Sequence, residues 1–278
     1  MKKQIQSFLK VTAVACVMAV VISACKDDDN PAPALTGESK TYALSSVSNP
    51  AINGTVKFAE RADNATVITI DLMGTTSGNT HVAHIHQNTA AETGAIILDL
   101  TSINGATGKS ETIVTKLNDG TGITYDQLLA LNGYVNVHLS ATDLTTLIAQ
   151  GDIGENELTA TSTTYSLVGV NESGIDGTVT FAKRTSGSTL VTVDLDGASA
   201  AGNYPIYIYD NNVATGGPIA INLNNYNGAT GKSVTSVRKL NNNTAITYDQ
   251  LRAFNGHINV GTSATDATYV AQGNIGSN

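Results

Sequence analysis

The sequence predicts an all-β protein made of two tandem antiparallel, Greek-key-like β-sandwich domains, each with one short helix before a late strand. Three observations support this fold class. The 278 residues are rich in Thr, Val, Ile, Gly and Asn and include no Trp, a composition typical of strands joined by tight turns. Short alternating segments are separated by turn residues such as Asn53-Gly54 and Asn104-Gly105. The whole pattern then repeats further along the chain.

The repeat has an offset of 123 residues, seen where Gly54 returns as Gly177. Three segments carry it most clearly: Gly54–Ala59 and Gly177–Ala182, Asn104–Ser110 and Asn227–Ser233, and Thr124–Leu128 and Thr247–Leu251. A repeat of this length corresponds to a whole domain rather than to a solenoid unit. We therefore expect a first domain over residues 41–156, a polar linker over 157–163 and a second domain over 164–278.

Eight strands are expected in the first copy, with turn chemistry between them. Such short, evenly spaced strands are typical of an antiparallel sandwich or barrel, and the sandwich is our expectation. The predicted strands are Tyr42–Val47, Thr55–Glu60, Thr66–Leu72, His81–His86, Ala95–Leu100, Thr112–Leu117, Tyr134–Leu139 and Leu147–Ile153.

One helix interrupts the strands. Thr124 is the expected N-cap, and Gln127 lies at the spacing of a capping box. Gly133 is expected to end the helix in a left-handed conformation. The same segment recurs in the second copy and ends at Asn255-Gly256, so the helix is predicted to fix where the following strand begins.

The N-terminus predicts a secreted, lipid-anchored protein. Lys2, Lys3 and Lys10 form a basic region before an apolar run, Val11–Val21, that is too short to span a bilayer comfortably. The run ends in Ile22-Ser23-Ala24-Cys25, which resembles the bacterial lipobox. This resemblance implies a signal peptide over residues 1–24 and acylation of Cys25. An ordinary secretory signal with an incidental cysteine is the alternative.

Residues 25–40 are expected to form a flexible tether between the lipid and the folded body. Its start, Lys26-Asp27-Asp28-Asp29, resembles the surface-export signal of Bacteroidetes lipoproteins. That resemblance implies a lipid anchor in the outer membrane with the body exposed at the cell surface. A simple solvated tether, with the body facing the periplasm, is the alternative.

The net charge limits the class of partner, and the cysteine content limits the number of disulfides. The net charge of −8 argues against binding to a nucleic-acid backbone. The chain has only Cys16, within the apolar run, and Cys25. The processed protein is therefore expected to contain no disulfide, and its stability must come from core burial.

Three histidines form the candidate site. His84 and His86 point to the same side of one predicted strand, and His138 ends another. If these strands are neighbours, the three imidazoles converge and can bind zinc or copper. Asn136 shares the face of His138 and is a supporting candidate, whereas His81 has the opposite strand parity and is expected at the strand entrance.

A hydrogen-bonded structural cluster is the alternative for these histidines. The second copy has Tyr207, Tyr209 and Gly261 at the three positions, so the fold does not require the imidazoles, and their joint replacement favours a shared role. His257 replaces Tyr134 in the second copy and is expected to be incidental.

The combined motifs resemble the CHRD domain family, named after chordin. They are Ala83-His84-Ile85-His86, Gly94-Ala95-Ile96-Ile97 and Gly133-Tyr134-Val135-Asn136-Val137-His138. The family's closing Pro-x-Gly-Glu-Ile-Arg-Gly-like strand is kept only in outline by Leu147–Ile153. The resemblance implies a binding or structural module in both copies, and it transfers no catalytic residue.

We therefore expect a non-enzymatic binding or structural lipoprotein that contacts an extracellular protein or glycan, with no certain cofactor. The alternative function is a copper or zinc site in the first domain only. A His-x-His strand in a Greek-key sandwich also resembles copper–zinc superoxide dismutase. However, the bridging histidine and the disulfide of that family have no counterpart here, so dismutase chemistry is not expected.

Overall fold

The computed structural model describes residues 32–263 and 266–278, with only the backbone at 266 and 267. The compact body spans Ala34–Asn278. The predicted signal peptide, Cys25 and the first part of the tether lie outside the described residues. Within the described part of the chain, no helix is long and apolar enough to cross a membrane.

Each sequence repeat forms eight strands and one short helix. The first repeat contains β1 Leu35–Ser46, β2 Asn53–Arg61, β3 Thr66–Met73, β4 Thr80–Gln87, β5 Ile96–Asn104, β6 Lys109–Val114, α1 Tyr125–Leu129, β7 Asn132–Ser140 and β8 Asp143–Gly154. The second contains β9 Leu158–Gly169, β10 Asp176–Arg184, β11 Thr189–Asp196, β12 Asn203–Asp210, β13 Ile219–Asn227, β14 Ser233–Val237, α2 Tyr248–Arg252, β15 Asn255–Ser263 and β16 Asp266–Gly276.

The all-β prediction is confirmed, but the first repeat is a closed barrel rather than a two-sheet sandwich. Its strand order is β1-β2-β3-β6-β5-β4-β7-β8, and β1 pairs with β8 at Ser45 and Ser46. The twelve-residue β1 makes this closure possible, because its first part pairs with β2 and its end with β8. Closure leaves no free sheet edge. The second repeat is an eight-stranded sheet whose neighbouring strands follow the same order, and an isolated bridge pairs Asn227, the last residue of β13, with Lys232, just before β14.

Strict alternation of side chains separates a core from an outer face in each repeat. In β3, Ile68, Ile70 and Leu72 are buried in the core while the intervening residues are more exposed. Tyr42 and Phe58 meet edge to face across β1 and β2, with ring centroids 5.5 Å apart. Each repeat encloses its own apolar cluster, and this burial stabilises the fold.

The helix begins as predicted and ends differently. The Thr124 side chain accepts from the Gln127 backbone, and the Gln127 side chain accepts from the Thr124 backbone, which confirms the capping box. The helix already ends at Leu129, with Ala130 as C-cap at φ −96°. Gly133 instead lies in β7. A Cβ there would sit 2.9 Å from the His86 carbonyl oxygen, so glycine is needed for close strand approach rather than for a left-handed turn.

All eight predicted strands of the first copy overlap observed strands, and the differences concern their ends. The predicted tether ran to residue 40, but β1 begins at Leu35. The predicted linker, residues 157–163, is almost entirely the start of β9. In both places polar, Thr-rich residues pair with a neighbouring strand, because their backbone groups join the ladder whatever their side chains are.

Candidate metal centre

The candidate site lies on the outer face of three neighbouring strands, with β4 between β5 and β7. Ala83 and Ile85 of β4 belong to the core, so the alternating positions His84 and His86 face outward. The same alternation holds in β7, where His138 faces outward. The β4–β7 register places His84 opposite Asn136 and His86 opposite Tyr134. The predicted convergence of strands is therefore what brings the histidines together.

His84, His86 and His138 offer ligand nitrogens that all lie within 4.8 Å of one another. Among the described residues, this is the one group of His, Cys, Asp or Glu side chains close enough to hold a metal ion. Nδ1 of His84 is 3.3 Å from Nε2 of His138. The three residues are only 8%, 8% and 6% exposed, which is a low exposure for such polar side chains.

Backbone contacts orient the ring of His86. Its Nδ1 lies 3.0 Å from the Gly94 carbonyl oxygen. Because a carbonyl only accepts hydrogen bonds, Nδ1 carries the proton and Nε2 keeps its lone pair. Nε2 of His86 is buried without a hydrogen-bond partner. A ligand nitrogen whose opposite N–H is held by a carbonyl is typical of metal-binding histidines.

His84 has an acidic neighbour at the solvent side of the site. Its Nε2 is 3.6 Å from an Asp99 carboxylate oxygen. The Asp99 side chain is 69% exposed, and that of His84 is 10% exposed. The carboxylate therefore stands at the edge where solvent reaches the cluster, and it can orient the imidazole from outside.

The spacing of the nitrogens fits a transition metal. Zinc–nitrogen bonds of about 2.0–2.1 Å in tetrahedral geometry place two ligand nitrogens about 3.3 Å apart. The His84–His138 distance matches this value. Ring rotations that close the remaining gap by about 1.5 Å would complete a three-nitrogen site with one open position. Neutral imidazoles suit both zinc and copper.

Burial favours the neutral form of two of the three imidazoles, those of His84 and His138. Burial lowers the pKa of His84, the charge of His138 adds to this effect, and Asp99 partly opposes it. Burial also lowers the pKa of His138, while the Leu144 backbone and the Asp143 carboxylate oppose the shift. The neutral form is the one that coordinates a metal.

Tyr134 packs directly on the site. Its ring stacks on His86 with centroids 4.9 Å apart and planes inclined by 19°. Burial raises the pKa of Tyr134, so its phenol stays protonated at neutral pH. The ring therefore fixes the plane of the His86 imidazole by stacking on it, and it does not serve as an anionic ligand.

Asn136 lies beside the cluster, as the sequence predicted. Its carboxamide oxygen accepts a hydrogen bond of 2.7 Å from Gln150 Nε2 on β8. This bond directs the oxygen toward Gln150 rather than toward an imidazole. The predicted supporting role of Asn136 toward a ligand remains a prediction.

The two remaining histidines lie outside the cluster. His81 is 1% exposed, and its Nδ1 donates to the Leu139 carbonyl at 2.8 Å, so it is buried more deeply than an entrance position suggests. His257, in the second repeat, was expected to be incidental to the site. It is 4% exposed, stacks on Tyr209, and has Nδ1 2.8 Å from the Asn211 carbonyl oxygen.

The second repeat replaces the site with aromatic packing. Tyr207 and Tyr209 occupy the positions of His84 and His86, and the Tyr209 hydroxyl lies 3.2 Å from that of Tyr269. A Cβ on Gly261 would approach Pro205 Cγ at 3.1 Å. The space taken by the third histidine in the first repeat is therefore restricted in the second.

Sequence reasoning missed the roles of Asp99 and Gly94. The internal repeat held a signal for the first of them. Tyr207 pairs with Asn222 as His84 pairs with Asp99, so the acidic residue disappears together with the histidines. The carbonyl of Gly94 carries no such signal, because a backbone group contributes the same oxygen whatever the residue.

The chain was also compared with known proteins. No protein-family model and no curated protein matches it. Cys25, the predicted lipidation site, lies outside the described residues. The interpretation of the site therefore depends on its geometry and on the comparison between the two repeats.

Proposed function

We propose that the first repeat binds one transition-metal ion, zinc or copper, through His84, His86 and His138. The observation that carries this proposal is the orientation of His86. Its Nδ1–H is held by the Gly94 carbonyl, and its Nε2 is buried without a partner beside two further imidazoles. A buried lone pair without a donor is costly unless something binds it, and a metal ion satisfies it.

A hydrogen-bonded histidine cluster is the second candidate. The His84–His138 contact of 3.3 Å supports it, because one neutral imidazole can donate to the other. That contact leaves Nε2 of His86 buried and unpaired. A metal accounts for the His86 nitrogen and the cluster does not, so the metal site is the better explanation.

The proposed role is binding rather than catalysis. The three imidazoles are almost fully covered, which leaves little surface for an organic substrate at the metal. Dismutase-like chemistry is not part of the proposal. A metal with three nitrogen ligands in this setting would stabilise the outer face of the barrel or store the ion.

We further propose that the protein is a CHRD-like lipoprotein anchored in the outer membrane through Cys25, with its body at the cell surface. The lipobox-like segment and the acidic run after it support this location. The motifs around the histidines support the family proposal. In this setting an extracellular protein or glycan is the expected partner of the remaining barrel surfaces.

Elemental analysis of the purified protein, prepared without chelator or affinity metal, tests the metal site. We expect about one zinc or copper ion per chain, absent from the variant His84→Ala/His86→Ala/His138→Ala. His257→Ala is the matched control, because it removes an equally buried histidine outside the cluster. Metal that persists in the triple variant, or that never appears in the wild type after incubation with zinc or copper, contradicts the proposal.

A further inference from the structure

An arginine of the second repeat is buried against the first. Arg184, the last residue of β10, is 0% exposed. Its Nη1 donates to an Asp152 carboxylate oxygen at 2.5 Å and to the Asn156 carbonyl at 2.6 Å. Both partners belong to the C-terminal part of the first repeat. A buried guanidinium needs such a paired carboxylate, because an isolated charge is strongly unfavourable in the interior.

The same carboxylate anchors the loop that orients His86. The second oxygen of Asp152 accepts a hydrogen bond of 2.8 Å from the Ala90 backbone N–H. Ala90 lies in the loop between β4 and β5, and this loop ends at Gly94, whose carbonyl holds His86. Asp152 also lies opposite Tyr134 in the β7–β8 register. It therefore adjoins both supports of the His86 ring, the loop and the stacked tyrosine.

The loop needs an anchor because its backbone is strained. Thr93 adopts φ +61°, a left-handed conformation that is unfavourable for a β-branched residue. The equivalent position in the second repeat is Gly216 at φ +67°, which tolerates this conformation without a side-chain clash. Strained residues persist where surrounding contacts hold them.

The second repeat shows what the anchor itself requires. There, Asn274 Oδ1 accepts from the Val213 backbone N–H at 2.8 Å, in the same arrangement as Asp152 and Ala90. A neutral amide is thus sufficient as the acceptor. In the first repeat the acceptor is a carboxylate, and its ion pair with the buried Arg184 holds that carboxylate toward the interior.

We infer that Arg184 of the second repeat is a positioning residue for the metal site of the first repeat, an inference that rests on the proposed function. Arg184 holds Asp152, Asp152 holds Ala90, and the anchored loop presents the Gly94 carbonyl to His86. The second repeat, which has no histidine cluster among its described residues, thereby contributes to metal binding by ordering a ligand of its neighbour.

Zinc titration of four full-length variants tests this inference. Arg184→Met should weaken zinc binding about ten-fold, as is typical when an outer-shell partner of a ligand is removed. The double variant Arg184→Met/Asp152→Asn should bind zinc within about three-fold of wild type, because asparagine restores the anchor used by Asn274. Arg184→Met/Asp152→Ala should bind as weakly as Arg184→Met. Lys183→Met is the control, since Lys183 pairs with Asp249 inside the second repeat.

The two double variants form a matched pair if Arg184→Met alone does not fold. Both lack the ion pair, and they differ only in the acceptor for the Ala90 N–H. Equal zinc affinity of these two variants overturns the inference, as does an unchanged affinity of Arg184→Met.

Imidazole ¹⁵N NMR of the metal-free protein separates this inference from the proposed function. The His86 Nδ1–H signal should move toward that of a free imidazole in Arg184→Met/Asp152→Ala and stay in place in Arg184→Met/Asp152→Asn. This readout needs no metal. If the wild type binds no metal, the proposed function fails, and the NMR comparison alone decides whether Arg184 positions His86: a shift in the alanine variant supports it and no shift refutes it.

Discussion

The imidazole of His86 stacks on the ring of Tyr134, and the second repeat contains the same stack with its partners exchanged between strands. In the first repeat, β4 supplies the histidine and β7 the tyrosine, with centroids 4.9 Å apart. In the second, β12 supplies Tyr209 and β15 supplies His257, with centroids 5.1 Å apart and planes inclined by 15°. Each repeat thus keeps one histidine–tyrosine stack, and the repeats differ in which strand supplies the imidazole.

The exchange predicts that stability and metal binding can be separated in the first repeat. In the double variant His86→Tyr/Tyr134→His, the stack is restored in the arrangement of the second repeat. We expect its unfolding free energy to stay within about 1 kcal/mol of wild type, the magnitude of an aromatic pair. Zinc binding should be lost because the imidazole moves to a neighbouring strand. Urea unfolding and zinc titration measure the two effects.

The single variants provide the comparison for this double-mutant cycle. His86→Tyr alone places two tyrosines in the stack, and Tyr134→His alone places two histidines there. Each should be less stable than the double variant if the two positions are coupled. A double variant that loses as much stability as the sum of the single variants contradicts the coupling.

The histidines should also make the metal-free protein less stable at mildly acidic pH. Burial lowers the pKa of His84 and of His138 below the ordinary value of 6.5, so the unfolded chain takes up protons at a higher pH than the folded one. Stability therefore rises with pH between the folded pKa and about 6.5 and levels off above it. Urea unfolding in the presence of chelator, from about pH 7.5 to 5, measures this loss.

Carboxylates also titrate near the lower end of that range, so the comparison requires His84→Gln/His138→Gln. The stability difference between this variant and the wild type should change as the pH falls, to the disadvantage of the wild type. A difference that stays constant over the whole range would show that burial does not shift these two histidines.

The strands could be predicted from the sequence because their alternation is local. Thr66–Met73 reads as a strand by itself, since every second residue is apolar. Closure into a barrel could not be predicted in this way. It depends on Ser45 and Ser46 pairing with β8, and these short polar residues at the end of β1 are equally compatible with a turn. The predicted end of the helix was wrong for a similar reason. Gly133 is required by a strand contact with His86, and only the tertiary structure shows that contact.

The histidine cluster could be predicted because histidine is rare in this chain and the His-x-His spacing places two of them on one face of a strand. Of the groups that orient it, the Gly94 carbonyl could not be predicted, because a backbone oxygen leaves no sequence signal. The Asp99 carboxylate lies in another strand and could be found only by comparing the two repeats. The role of Arg184 was harder still to predict, because its partner Asp152 belongs to the other repeat. Contacts between repeats leave no periodic signal in either of them.

Removing the N-cap of α1 is expected to lower the stability of the protein and to leave metal binding unchanged. The Thr124 side chain caps α1 through the Gln127 backbone, and Thr124→Ala should lower the unfolding free energy by about 1 kcal/mol. Zinc affinity should not change, because the helix packs mainly against β2 and β8, which carry none of the three histidines. Thr124→Ser, which keeps the hydroxyl, is the control. Equal stability of the alanine and serine variants contradicts the capping role.

The strained loop predicts a stabilising substitution. Thr93 and Gly216 occupy equivalent positions with nearly the same left-handed φ. Thr93→Gly removes a steric cost of about 1–2 kcal/mol and adds an entropic cost of about 0.5–1 kcal/mol. A net gain of up to about 1.5 kcal/mol in unfolding free energy is therefore expected.

The reverse change supplies the test of that reasoning. Gly216→Thr should destabilise the protein by a similar amount, because it introduces into the second repeat the strain that the first already carries. If Thr93→Gly destabilises the protein instead, the threonine side chain makes a contact that outweighs its backbone strain. If it stabilises the protein while zinc binding weakens, the strain at Thr93 is tied to the presentation of the Gly94 carbonyl to His86.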